Sequence, residues 1–244
     1  MHNYKHFRFL IILLLAGISQ IVSAQSVDEI IAKHITAMGG AEKLSKLKSV
    51  AIIANMEVMN MEMPVKITVV QDKGFRTETT VQGMTIVQAT DGVKGWMINP
   101  MTGDGKPVEL PKEAVQQYAS QTDLTGLYNY KQKGHQLTLE GEQDLDGAKV
   151  YKIVATLKNG AKQENYISKD TYYLLKVVAT VSANGQNVTT ENVQSNFKQV
   201  DGIIFPFSSE LTTSAMPGAK VVNKIESVAV NTKIDEGIFA MPKQ

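Results

Sequence analysis

Four methionines fall within eight residues, Met56-Glu57-Val58-Met59-Asn60-Met61-Glu62-Met63, the densest run of chemically distinctive side chains in the chain. Flexible thioethers suit three tasks: filling irregular core space, lining a tolerant apolar pocket, or holding a soft ion such as Cu(I). On an uninterrupted strand Met59, Met61 and Met63 would share a face, but a turn at Asn60 would scatter their sulfurs. No His or Cys adjoins them, so no residue is assigned as a metal ligand. Packing, pocket lining and soft-metal binding stay open, in that order.

Catalytic groupings are sparse. Glu140, Glu142 and Asp144 alternate as paired carboxylates would, but they lead into Asp146-Gly147, a turn where acidic side chains ordinarily stay in water. Tyr172-Tyr173 offers phenols on a strand, where aromatics normally pack. His34 sits on or beside an apolar helix face with no acid within a turn, which marks a packed residue rather than a base. His135 has no triad-like context. The G-x-S-x-G, H-E-x-x-H, P-loop and strand-linked G-x-G-x-x-G motifs are all missing from the sequence. The reading is a protein that is not an enzyme and takes no cofactor.

The elements that position these residues are mostly strands. Between Lys149 and Asn231 runs a meander whose turns are written as Asn159-Gly160, Ser168-Lys169-Asp170, Asn184-Gly185, Asp201-Gly202 and Pro217-Gly218. Earlier, period-two alternation marks strands over 50–59, 63–71, 75–82, 84–89 and 93–98, then 136–142. Before them, Val27, Ile30, Ile31, His34, Ile35 and Met38 recur at helical spacing, with Ser26 as N-cap and Gly39-Gly40 as the stop. Ala41 to Lys48 adds a short second helix. The segment 111–130 breaks the strand pattern: Pro111 opens a helix with Val115 and Tyr118 on its apolar side, and Asp123 caps another presenting Leu124 and Leu127. After the last strand, Ile238 and Phe239 dock two bulky side chains. The fold class is mainly β (α+β), a strongly curved antiparallel sheet or incomplete β-barrel of about eleven strands under an N-terminal helix and a helical lid.

Residues 1–24 read as a secretory leader: Lys5 and Arg8, an apolar run from Phe9 to Ile18, and the small residues of Val22-Ser23-Ala24 at a cleavage site. That apolar run is too short to span a bilayer, which takes ~20 residues. Losing Lys5 and Arg8 leaves 23 basic against 24 acidic residues, and Arg76 as the one remaining arginine. Such a balance gives no electrostatic footprint for nucleic acid or anionic membrane. The chain has no cysteine, which excludes disulfides, thiolate metal sites and an acylated N-terminal Cys. The expectation is one domain over 25–244, exported to a periplasmic or similar compartment, soluble and monomeric.

The order Phe75-Arg76, Asp91-Gly92, Trp96, Asn99-Pro100, then Val200-Asp201-Gly202-Ile203, Pro206, Asn231, Phe239 and Pro242, resembles the outer-membrane lipoprotein-sorting family, the periplasmic LolA-like carriers. Ala37-Met38-Gly39-Gly40-Ala41-Glu42-Lys43-Leu44 is similar to the start of many of its members. The resemblance implies an incomplete barrel of about eleven strands with helices over a hydrophobic cavity that takes acyl chains. One departure stands out. Where the carriers place a basic residue and a proline that latch the lid, this chain has Gln71-Asp72-Lys73-Gly74, which leaves Arg76 as the candidate latch.

The expected function is therefore a carrier that takes a lipid or lipoprotein acyl chain. Its expected wall is Ile52, Ala54, Met56, Val58, Val65, Ile67, Val69, Met84, Ile86, Trp96 and Ile98, with Val115, Tyr118, Leu124 and Leu127 as the lid. A one-residue slip would exchange the faces of any strand. Two other readings remain: an envelope protein–protein interaction module with a filled core, and the methionine-rich Cu(I) site.

Overall fold

The computed structural model describes residues 25–183 and 186–243; the expected leader and the expected turn at Asn184-Gly185 lie outside them. Among the described residues there are three α-helices: α1 (Val27–Ala37), α2 (Ala41–Ser45) and α3 (Lys112–Ala119). The strands are β1 (Ser49–Val58), β2 (Met61–Val70), β3 (Gly74–Val81), β4 (Met84–Thr90), β5 (Gly95–Ile98), β6 (Val108–Glu109), β7 (Gln136–Leu145), β8 (Ala148–Thr156), β9 (Lys162–Ser168), β10 (Leu174–Ala183), β11 (Gln186–Val200), β12 (Ile203–Thr213) and β13 (Lys220–Val230). The strand that alternation did not reveal is β6, which has only two residues and therefore no period to read.

All thirteen strands form one antiparallel sheet in the order β6-β5-β4-β3-β2-β1-β13-β12-β11-β10-β9-β8-β7. Every neighbour in space is a neighbour in sequence except at β1·β13, which joins the two ends of the described chain. The sheet edges, β6 and β7, are the strands on either side of the lid segment. The sheet therefore curls without closing, and the insertion occupies the gap.

Turn chemistry sets the register. Met59 and Asn60 both adopt positive φ, at 50° and 64°, as a two-residue hairpin matched to strand twist demands. Asp201-Gly202 does the same at 51° and 79°. Helix α1 begins with a capping box, Ser26 Oγ accepting from Glu29 N (3.2 Å) while Glu29 Oε2 accepts from Ser26 N (3.0 Å). The expected helix at Asp123 does not form. A short 3-10 turn at Ser120–Thr122 follows α3, and 124–134 is a run of turns, with Asp123 Oδ1 spent on Thr125 N (3.0 Å).

The core lies on the inner face, where α1 sits. Ile30, Ile31 and Ile35 pack with Val50, Tyr151, Ile153, Ile167 and Ile203, joined by Leu127 and Tyr130 from the insertion. His34 belongs to this layer at 5% exposure, its Nδ1 2.8 Å from the Tyr172 carbonyl, which fixes the proton on Nδ1. Burial pushes its pKa below the ordinary histidine value, with the Tyr172 bond acting in the opposite direction. In the unfolded chain His34 titrates near ~6.5, so the unfolded state binds more protons just below that pH. Stability is then complete above about pH 6.5 and declines as pH falls toward the folded pKa. Urea midpoints measured at pH 7.5 and 5.5 should drop for the wild type and drop much less for His34→Gln. His135 shifts the same way but is less buried, and supplies the residual slope.

Candidate ligand-binding site

Register pairs assign the faces. Val50, Ile52, Ala54, Met56 and Val58 stand opposite Val69, Ile67, Val65, Met63 and Met61 on β2, all on the side of α1. Through β3 the same face continues to Met84, Ile86, Gln88 and Thr90. Nine of the expected wall residues thus share the inner face. Trp96 and Ile98 do not. Trp96 pairs with Ala89 and Ile98 with Val87, so both point to the outer face, and the inward residues of β5 are Gly95 and Met97.

The inner face has two halves. The upper half is the core under α1. The lower half, toward the Met59-Asn60 turn, carries Met56, Val58, Val81, Met84, Ile86, Leu211, Val221 and Ile225, all half-buried and outside the α1 cluster. Met63 beside them is buried, and Met61 at the lip is 52% exposed. Met56 faces Met63 directly, and Val81 pairs with Met84. The result is a half-buried apolar strip along the inner face, here called the trough, of thioethers and branched aliphatics, side chains that adapt to a flexible hydrocarbon. Met59 turns away at 71% exposure, so the three sulfurs of the soft-metal reading do not converge.

The lid residues all turn inward. Val115 fits against Gly95, where a Cβ would come within 2.9 Å of its methyl. Tyr118 stacks on Phe75 at 5.8 Å and donates to Gln88 Oε1 (2.9 Å). Leu124 and Leu127 join the α1 cluster. The insertion is held by side chains to which the sequence assigned other roles or none. Gln71 Oε1 accepts from Leu124 N (2.7 Å), Lys133 reaches Asp123 (2.6 Å), and Asp28 on α1 takes Lys131 (2.8 Å) and the Tyr130 hydroxyl. Hydrogen bonds from Lys131 and Tyr130 hold the Asp28 carboxyl below its usual pKa. Between α1 and residues 127–132 opens a hollow of about 360 Å³ whose lining includes Ile31, Ile35 and Leu127.

Arg76 is not the lid latch. It lies on the outer face, where Nη1 donates to the Ile238 carbonyl (3.0 Å) and Nε to Glu78 (3.1 Å), with the guanidinium 5.3 Å from the Trp96 ring. Trp96 Nε1 donates to Phe239 O (2.8 Å). Together they strap residues 235–240 across the outside of β3–β5. The physical reason is parity: Phe75 points in, so Arg76 must point out. The suggestive carboxylates are likewise structural, Glu140 pairing with Lys152 (3.1 Å), Asp144 with Lys149 (3.1 Å) and Glu142 with Lys169. Among the described residues no group of His, Cys, Asp and Glu is placed to hold a metal ion.

Three solved structures share this architecture. One is described as an outer membrane lipoprotein-sorting protein domain, from Vibrio parahaemolyticus, 15% identical over 86% of this chain and 94% of that one, with a TM-score of 0.56. Another is a DUF1329 family protein from Desulfovibrio piger, 15% identical over 88% and 97%, TM-score 0.59. A LolA superfamily protein from Nitrosomonas europaea is 12% identical over 89% and 98%, TM-score 0.57. At these identities the likeness is one of fold, and it covers nearly the whole of each chain. No curated protein matches the sequence. A family model described as "-like: Uncharacterized protein" matches residues 75–243, well over half of the chain, and the chain belongs to that family.

Proposed function

We propose that this protein is an exported, non-enzymatic carrier that takes the acyl chain of a lipid or lipoprotein in the lower half of its inner sheet face. The observation that carries the reading is the half-buried trough of Met56, Val58, Val81, Met84, Ile86 and Ile225 beside the buried cluster under α1. A sequence that fills one half of a sheet with interlocked Ile, Leu and Tyr has the means to fill the other. The likeness in fold to a lipoprotein-sorting domain and a LolA superfamily protein supports the same reading. Burying about fifteen methylenes would stabilise a complex by ~12 kcal/mol, against an association cost of ~4–15 kcal/mol. Export follows from the leader-like residues 1–24, and no helix among the described residues is long and apolar enough to cross a membrane.

The deciding experiment is lipid extraction and mass spectrometry of protein purified from its native host, paired with uptake of a fluorescent fatty acid. Co-purified acyl lipid is the expected result. Neither co-purified lipid nor uptake would sink the proposal.

The lid should gate this trough. Its tie to α1 through Asp28 is solvent-exposed, so the insertion opens more readily than the core strands. Asp28→Asn is expected to speed amide exchange of residues 120–134 several-fold and leave β8 and β9 unchanged. Because the Asp28 pKa is depressed, the tie is present above the unfolded value of ~3.9 and lost as pH falls further. The wild type should therefore approach the variant's exchange pattern below about pH 4. Equal protection of 120–134 in both proteins at pH 7 would show that Asp28 does not hold the lid.

A further inference from the structure

The trough is not apolar throughout, and one polar atom in it has no partner. Following the register across the inner face gives Ile153, Asn165, Val177, Asn192, Leu211, Val221, Val58 and Met61 as a single lateral row. Two asparagines occur in it, and the structure treats them differently. Asn165 is fully buried and its amide is satisfied by the sheet itself. Its Nδ2 donates to the carbonyls of Ile153 and Gln163 (both 3.3 Å), and its Oδ1 accepts from Gln163 Nε2 (2.7 Å). Asn192, half-buried between Val177 and Leu211, has its Oδ1 shut off from solvent with nothing bonded to it.

A buried amide oxygen without a donor is destabilising, while an apolar residue of similar size at the same place would not be. The neighbours Val177 and Leu211 show that this row accepts aliphatic side chains. Asn192 also has company on its own strand: Gln194, two residues on and facing the same way, stands opposite Ser209, which is bonded to Asn223 (3.4 Å). The wall of β11 to β13 therefore presents uncharged hydrogen-bonding groups to the Met56–Met63 wall of β1 and β2. An occupant lying between them meets hydrocarbon on one side and amides on the other.

We infer that the ligand of this trough is a neutral acyl lipid whose head carries a hydroxyl donor, as in a monoacylglycerol, seated so that the half-buried Asn192 side chain turns toward it and Oδ1 accepts this donor while the chain runs over the methionine floor. The inference rests on the acyl-carrier reading and deepens it. A bare hydrocarbon or simple ester would leave Asn192 unsatisfied. An anionic head has a different place to go: Lys198, higher on the same face, lies 4.5 Å from the Phe207 ring, and none of the ion pairs among the described residues engages it.

The test is a displacement assay on the mature chain with three probes of equal chain length, 1-monopalmitoylglycerol, methyl palmitate and palmitate, each against wild type and Asn192→Leu. The wild type is expected to bind the monoacylglycerol at least ten-fold more tightly than the methyl ester, and Asn192→Leu to erase that preference while still binding the ester. The ligand-free variant should also unfold at a higher temperature than the wild type, a readout that does not depend on any lipid. Equal binding of monoacylglycerol and ester by the wild type would overturn the inference and leave the carrier reading standing. Binding of none of the three would remove both. Palmitate outbinding the monoacylglycerol, with that advantage abolished by Lys198→Met, would overturn it in favour of an anionic head.

Discussion

Ile153→Ala should destabilise the protein by about 3–4 kcal/mol, the range for deleting a large aliphatic side chain from a site that cannot collapse. Ile153 has no exposed surface and lies between Asn165 and Leu139 on its neighbouring strands, beneath α1. For a chain of this size the melting temperature should fall by roughly 10 °C. The informative comparison is Met84→Ala, on the same face of the same sheet. Met84 is half-buried and outside the cluster under α1, so its loss should cost about 1 kcal/mol or less in the ligand-free protein. Chemical denaturation of the two variants measures the division of the inner face directly. If Met84→Ala proved as damaging as Ile153→Ala, the lower half would be core, and no room would be left for a ligand.

That division shows how far the sequence could be read. Alternation along 50–58 and 63–69 placed seven wall residues on one face, because both strands are long and their hairpin at Met59-Asn60 keeps them in phase. Alternation failed at β5 for a local reason. The loop from Asp91 to Lys94 pairs Thr90 with Gly95, so the inward position falls on a glycine and the outward one on Trp96. A tryptophan in a short strand reads as core whichever way it points. Gly95 was the better clue, since a residue with no side chain marks the close approach of another element, here Val115 of α3.

The helices divide the same way. Ser26, Glu29 and Gly39-Gly40 declare the limits of α1 locally, through a capping box and positive φ values of 124° and 88°. The segment after Asp123 had the composition of a helix but not its hydrogen bonds. Its conformation is fixed from outside, by Gln71, Lys133 and Asp28, and such long-range partners leave no period in the local sequence. Asn192 was invisible for a related reason. As one polar residue in a polar-rich strand it attracts no notice, and only its placement between Val177 and Leu211 makes it unusual.

Gly74→Ala should detach the C-terminal strap. The sequence showed that Phe239 docks after the last strand, but the docking surface is built from residues far back in the chain. Phe239 is 3% exposed, and a Cβ placed on Gly74 would lie 2.5 Å from two of its ring carbons, too close for any small adjustment. Gly74 carries no positive φ, so alanine brings no backbone strain and the clash acts alone. Phe239 is then expelled, and burial worth about 2–3 kcal/mol is forfeited. The bonds from Trp96 Nε1 to Phe239 O and from Arg76 to Ile238 O, together with the Lys73–Glu236 pair, have no geometry left to hold. The protein carries a single tryptophan, so its emission reports this one site. In the wild type Trp96 is 2% exposed beneath the strap, and its emission should be that of a buried indole. In Gly74→Ala it should shift to the red, and limited proteolysis should cleave within residues 232–243 while the sheet stays intact. Acyl-chain uptake should be unchanged, because strap and trough lie on opposite faces of the sheet. An unshifted emission would mean that Phe239 finds another seat on the outer face. A loss of uptake accompanying the shift would mean that the two faces are coupled through β3 and β4.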